Sequence, residues 1–159
     1  MRHAHMFKDT TVQSRPNLCV MCGIPADCQY FDDSKVTAAP EVGREVSLAR
    51  FELPSQYCGV LEYFAQFTDA YGKDLSRIHT PGLQWLILIN RRPLYPYTNL
   101  DRIVNPWGNG SFQVSIRLDE NSTVEFLVRR LSDKAPEVTS VGGRILGRYW
   151  YNAAYGDVV

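Results

Sequence analysis

The sequence predicts an all-β domain, an antiparallel two-sheet sandwich of jelly-roll type, preceded by an extended N-terminal arm. Three observations predict it. From Glu45 onward, short apolar or alternating runs recur at near-regular spacing, separated by Gly, Pro, Asn and Asp clusters. No stretch carries the 3.6-residue apolar period of a helix. The apolar fraction is 45% over 159 residues, enough for one domain with a real core.

The first 44 residues differ from the rest. Met1–Asn17 is polar and without period, Leu18–Cys28 holds three of the four cysteines, and Gln29–Arg44 is polar and punctuated by Pro40 and Gly43. This reads as an arm with little regular structure over 1–44, followed by a sandwich over 45–159.

Within the sandwich, Val46–Leu53 alternates, with Val46, Leu48 and Arg50 on one face and Ser47, Ala49, Phe51 and Leu53 on the other. Tyr57–Thr68 is long, aromatic and β-branched, and reads as a strand rather than a helix. Trp85–Ile89 is a continuous apolar run ended by Asn90, the mark of a strand buried on both faces. Leu94–Tyr97 reads as a short edge strand, because Pro93 and Pro96 cannot donate to a ladder. Asn105–Gly110 is a dense turn signal. Phe112–Leu118 and Thr123–Leu131 both alternate cleanly, and the short connection Asp119–Ser122 predicts a β-hairpin between them. Val141–Tyr151 is the last strand, and its glycines at 142, 143 and 147 signal a bulge or a close approach.

Charge narrows the function classes. Lys plus Arg and Asp plus Glu are both 17, so the chain lacks the positive surplus of a nucleic-acid or anionic-membrane binder. The longest apolar runs, Leu18–Ile24 and Trp85–Ile89, are far short of the roughly 20 residues of a membrane span. No secretory h-region is visible at the start, so synthesis in the cytoplasm is expected.

No residue set announces a reaction. Cys19 and Cys22 have the two-residue spacing of half a structural zinc site, with Cys28 and Cys58, or His3 and His5, as candidate completions. Disulfides and free thiols are the competing readings. The three histidines do not cluster as a metal enzyme requires. Glu52 and Glu62 are a formal glycosidase pair, expected not to share a cleft. Asn121-Ser122-Thr123 matches a glycosylation sequon, in a turn that favours Asn and Ser anyway. Arg91, Arg92, Tyr95, Tyr97 and Trp107 gather at strand ends. They form a candidate contact for a subunit interface, where Arg, Tyr and Trp are enriched, or for a sugar.

The ordered series LEYFAQFT, WLILINRRPLYPY, a PWG loop, SFQVSIRLDENSTVEFLVRR and GGRILGRYWY resembles small jelly-roll virion proteins of tailed bacteriophages. Those are accessory proteins of the capsid surface, vertex, neck or collar, and the resemblance covers Val46 to Tyr151. It implies a non-enzymatic structural protein with no cofactor, found in the virion after synthesis in host cytoplasm. Its implied partners are further copies of itself and capsid, portal or neck proteins. The competing function is a carbohydrate-binding sandwich for host-surface recognition.

Overall fold

The computed structural model describes residues 24–25, 28–69, 82–94 and 111–152. Among these, all regular structure is strand: β1 (Gln29–Ala38), β2 (Glu45–Glu52), β3 (Tyr57–Thr68), β4 (Leu83–Ile89), β5 (Arg92–Pro93), β6 (Ser111–Leu118), β7 (Thr123–Arg130) and β8 (Ser140–Tyr151). They form two four-stranded antiparallel sheets, sheet A in the order β1-β8-β3-β6 and sheet B in the order β2-β7-β4-β5. The expected two-sheet sandwich is present.

The pairing is nested. The first strand pairs with the eighth, the second with the seventh, the third with the sixth and the fourth with the fifth. Successive pairs alternate between the sheets, and the ladders β3·β8 and β4·β7 complete each sheet. The chain therefore behaves as one long hairpin rolled up so that each pair crosses to the opposite layer.

The core lies between the sheets. Trp85, Phe126 and Phe64 form its centre, with ring centroids 5.9 Å (Trp85–Phe126) and 5.7 Å (Phe64–Phe126) apart. Burying a side chain of this size contributes about 2–3 kcal/mol. Trp85, Leu86 and Ile87 are all buried, as the unbroken apolar run predicts for a strand covered on both faces. Gly143 points inward, and a Cβ there would sit 2.6 Å from Phe126 Cδ1 and 2.8 Å from Leu48 Cβ on the opposite sheet. Gly147 likewise gives way to the Phe31 ring and the Val60 carbonyl. The glycines of the last strand thus mark close approach.

Four expectations change. Part of the predicted arm is sheet: Gln29–Ala38 is β1, in full register with β8. Its apolar residues Phe31 and Val36 fall on opposite faces, so no period betrays it; Phe31 anchors it by stacking on Phe51 at 4.2 Å. The alternation in β2 breaks at a bulge between Ser47 and Ala49, which turns both Leu48 and Ala49 into the core and Arg50 outward. Asp119–Ser122 does not close a hairpin. β6 pairs with β3 and β7 with β2 and β4, so this connection carries the chain from one sheet to the other. An alternating pattern says which side chains face the core, and both strands of such a crossing face the same core. Among the described residues the hairpin is β4·β5, and the short edge strand it adds is Arg92–Pro93; Leu94 follows it and donates its N–H to the Ile87 carbonyl at 2.8 Å. Tyr95–Tyr97 and Asn105–Gly110 lie outside the described residues.

Candidate functional site

The β4·β5 hairpin turns on two residues, Asn90 at φ 53° and Arg91 at φ 64°. Positive φ at both central positions is the geometry of a type I′ turn, whose twist suits flanking strands. Asn tolerates the left-handed region; a long side chain such as Arg does so at about 1 kcal/mol or more. The turn is held from the side. The Asn90 N–H donates to the Thr123 carbonyl at 2.9 Å, and the Thr123 N–H donates to Asn90 Oδ1 at 2.9 Å. These bonds seat the turn against the start of β7.

Arg91 thereby becomes one wall of a groove of about 350 Å³ on the outer face of sheet B, with Arg50 and Glu52 of β2, Thr123 and Glu125 of β7, and Asn90. Arg50 lies directly across the ladder from Glu125, and Glu52 from Thr123. The bulge in β2 sets this parity. The Asp33 carboxylate of β1 accepts the Arg50 backbone N–H at 2.7 Å, which caps an amide on the open edge of β2.

Several arginines outside the groove are matched within the chain. Arg117 pairs with Asp119 at 3.0 Å and Arg129 with Glu45 at 2.6 Å. Arg144 donates to Asp32 at 2.7 Å and Arg148 to Glu62 at 2.9 Å. Arg130 donates to the Val138 carbonyl at 2.8 Å. Within the groove, Arg50, Arg91, Glu52 and Glu125 form no ion pair with any described residue. Two cations and two anions share one concavity, unpaired among the described residues.

On the outer face of sheet A the arginines are matched. Arg148 bridges to Glu62 and lies 5.9 Å from the Tyr30 ring centroid. The hydrogen bond from Arg144 holds the Asp32 carboxyl below the ordinary aspartate value of 3.8. A second dimple of about 320 Å³ lies here, where Gly142 leaves a notch between exposed Val36 and Phe67.

The structure separates the residues singled out from sequence. Arg91 belongs to the groove, and Arg92 is exposed on edge strand β5. Tyr95, Tyr97, Trp107, Cys19 and Cys22 lie outside the described residues, as do His3, His5 and His79. Cys28 is a free, half-buried thiol just before β1; Cys58 is free and buried on β3, where burial pushes its thiol pKa up to about 12. Such a thiol stays protonated at neutral pH and is a poor nucleophile or metal ligand. Among the described residues, no group of three or more His, Cys, Asp or Glu side chains is placed to hold a metal. Glu52 lines the groove on sheet B, while Glu62 is tied to Arg148 on sheet A. They face different sides of the sandwich. Sequence reasoning missed Arg50, Thr123 and Glu125 as site residues. Their signal was outward parity on β2 and β7, readable only once the bulge and the β2·β7 pairing are known.

No protein-family model matches the chain, and no curated protein matches it in sequence. Among solved structures it is similar to a chain in the structure of infectious bursal disease virus, Gt strain, at 9% identity and a TM-score of 0.42. The alignment covers 91% of this chain and 36% of that one, so this chain spans about a third of its length.

Proposed function

We propose that this chain is a non-enzymatic, jelly-roll structural subunit of a virus particle, acting without a cofactor and assembling with copies of itself and with other particle proteins. The observation that carries this reading is the nested pairing of first with eighth, second with seventh, third with sixth and fourth with fifth strand. That pattern is what a jelly roll leaves when a single hairpin is rolled into two sheets, and the architecture serves viral capsid and lectin domains alike. Between those two, the groove favours assembly. Its walls are Arg, Glu, Asn and Thr, and among the described residues no aromatic ring lines it to stack on a sugar face. The motif series from Val46 to Tyr151, which resembles accessory virion proteins of tailed bacteriophages, supports a capsid-surface, vertex, neck or collar position. Glu62, neutralised by Arg148 on the opposite side from Glu52, supports a role without glycoside chemistry.

The test is particle composition. Mass spectrometry of gradient-purified particles of the virus encoding the chain is expected to find it at a fixed copy number per particle. Recovery only in the unassembled fraction would overturn the reading.

A further inference from the structure

We infer that the sheet B groove is a self-complementary interface whose occupant is a second copy of this chain, placed by a two-fold axis. This deepens the structural-subunit reading and rests on it.

Two features point to a second copy. First, the groove holds two arginines and two glutamates, so its charge set is its own complement. A two-fold interface brings the same patch to itself, and each residue must meet a different residue of the partner. Second, the ladder register permits the match at the turn end of sheet B, short of the outward-facing Leu86 and Leu127, which are already buried in the single chain. Arg50 and Glu125 are cross-strand neighbours on β2 and β7. An axis running along the strands between β2 and β7 places Arg50 of each copy over Glu125 of the other, and Glu52 over Thr123. Arg91, fixed by its left-handed turn at the groove wall, then reaches toward the partner's exposed Glu52. The charges left unmatched in one chain are matched in two. Elsewhere, Arg117, Arg129, Arg144 and Arg148 already have carboxylate partners in their own chain and have less to offer a neighbour.

The test uses charge reversal on the full chain, read by light scattering after size exclusion, with circular dichroism to check folding. Wild type is expected to form dimers that dissociate as salt rises, since exposed pairs are screened within about 3 Å at 1 M. Arg50→Glu places two glutamates against each other at both symmetric contacts, and Glu125→Arg does the same with two arginines. Each alone is expected to dimerise about a hundredfold more weakly or worse. Mixed together, the two variants present opposite charges at both contacts, and the heterodimer is expected to return. That restoration separates an interface effect from a folding defect. A wild type that stays monomeric at every concentration, variants that dimerise like wild type, or a mixture that fails to associate would overturn the inference. Each result is independent of particle composition. A chain found in particles whose variants still dimerise refutes the groove alone, and a chain absent from particles whose variants behave as expected refutes the virion role alone.

Discussion

The two outer faces of this sandwich are built from the same strand type and differ in one corner: sheet B pairs Arg129 with Glu45 as sheet A pairs its arginines, but leaves the charges of its groove unmatched among the described residues. On sheet A, Arg144 and Arg148 reach across the ladder to Asp32 and Glu62, and Arg148 also covers Tyr30. On sheet B, Arg50 and Glu125 stand opposite each other at the floor of a groove and Arg91 overhangs it, with no ion pair among them. A face whose charges are satisfied internally contributes to the fold. A corner whose charges are not does little for the fold and is available to a neighbour. The difference arises from one bulge in β2 and one left-handed turn, both local events.

Both faces rest on one core, and the largest expected effect tests that. Gly143→Val would push a side chain between Phe126 and Leu48, contacts already at 2.6 and 2.8 Å for a Cβ alone. Overpacking of this kind costs about 3 kcal/mol. Urea unfolding followed by probes on both sheets is expected to show one transition at a lower midpoint. Two separated transitions would mean the faces are carried by independent layers.

Next in size is the ion pair itself. The Arg148 and Glu62 side chains are only 22% and 18% exposed, so Glu62→Ala leaves a half-buried guanidinium without its partner. The expected loss is about 2 kcal/mol, or roughly 4–8 °C in melting temperature for a chain of this length. The same logic has an acid signature. Asp32 is held below 3.8 by the hydrogen bond from Arg144, and Asp69 by the hydroxyl of Thr139. A carboxyl whose folded pKa is depressed contributes stability above its unfolded value and loses it as pH falls through the folded value. Asp32→Asn is therefore expected to flatten the decline in stability below about pH 4, as seen in acid titrations of the unfolding midpoint. An unchanged slope would remove Asp32 from the account of sheet A.

Sequence made some of this legible, and the pattern is physical. Period and run length identify strands and their inward faces, so Trp85–Ile87, Phe112–Leu118 and Val124–Val128 are read correctly. Neither says which sheet a strand joins, so the Asp119–Ser122 crossing looks like a hairpin. Strand β1 was hidden because its inward positions are Phe31 followed by Asp33 and Lys35, polar residues tolerated at an edge. The groove was hidden for a third reason. Its residues come from three segments far apart in sequence, and the bulge that aligns them leaves no mark beyond two consecutive apolar residues, Leu48 and Ala49.

The smallest effect separates fold from function most directly. Arg91 holds φ 64° in a turn whose preferred sequence is Asn-Gly, and Asn90 already supplies the first half. Arg91→Gly removes a strained side chain from a left-handed position and is expected to stabilise the fold by about 1 kcal/mol. Were the groove only a solvated surface, that gain would come with no loss. If Arg91 meets the partner's Glu52, the same variant melts at a higher temperature and dimerises more weakly, two shifts of opposite sign from one substitution. Arg91→Lys keeps the charge and the strain, so it is expected to leave the melting temperature unchanged and retain most of the association. An Arg91→Gly variant that gains stability and associates like wild type would assign the left-handed arginine to chance, and would leave Arg50 and Glu125 as the whole of the contrast between the two faces.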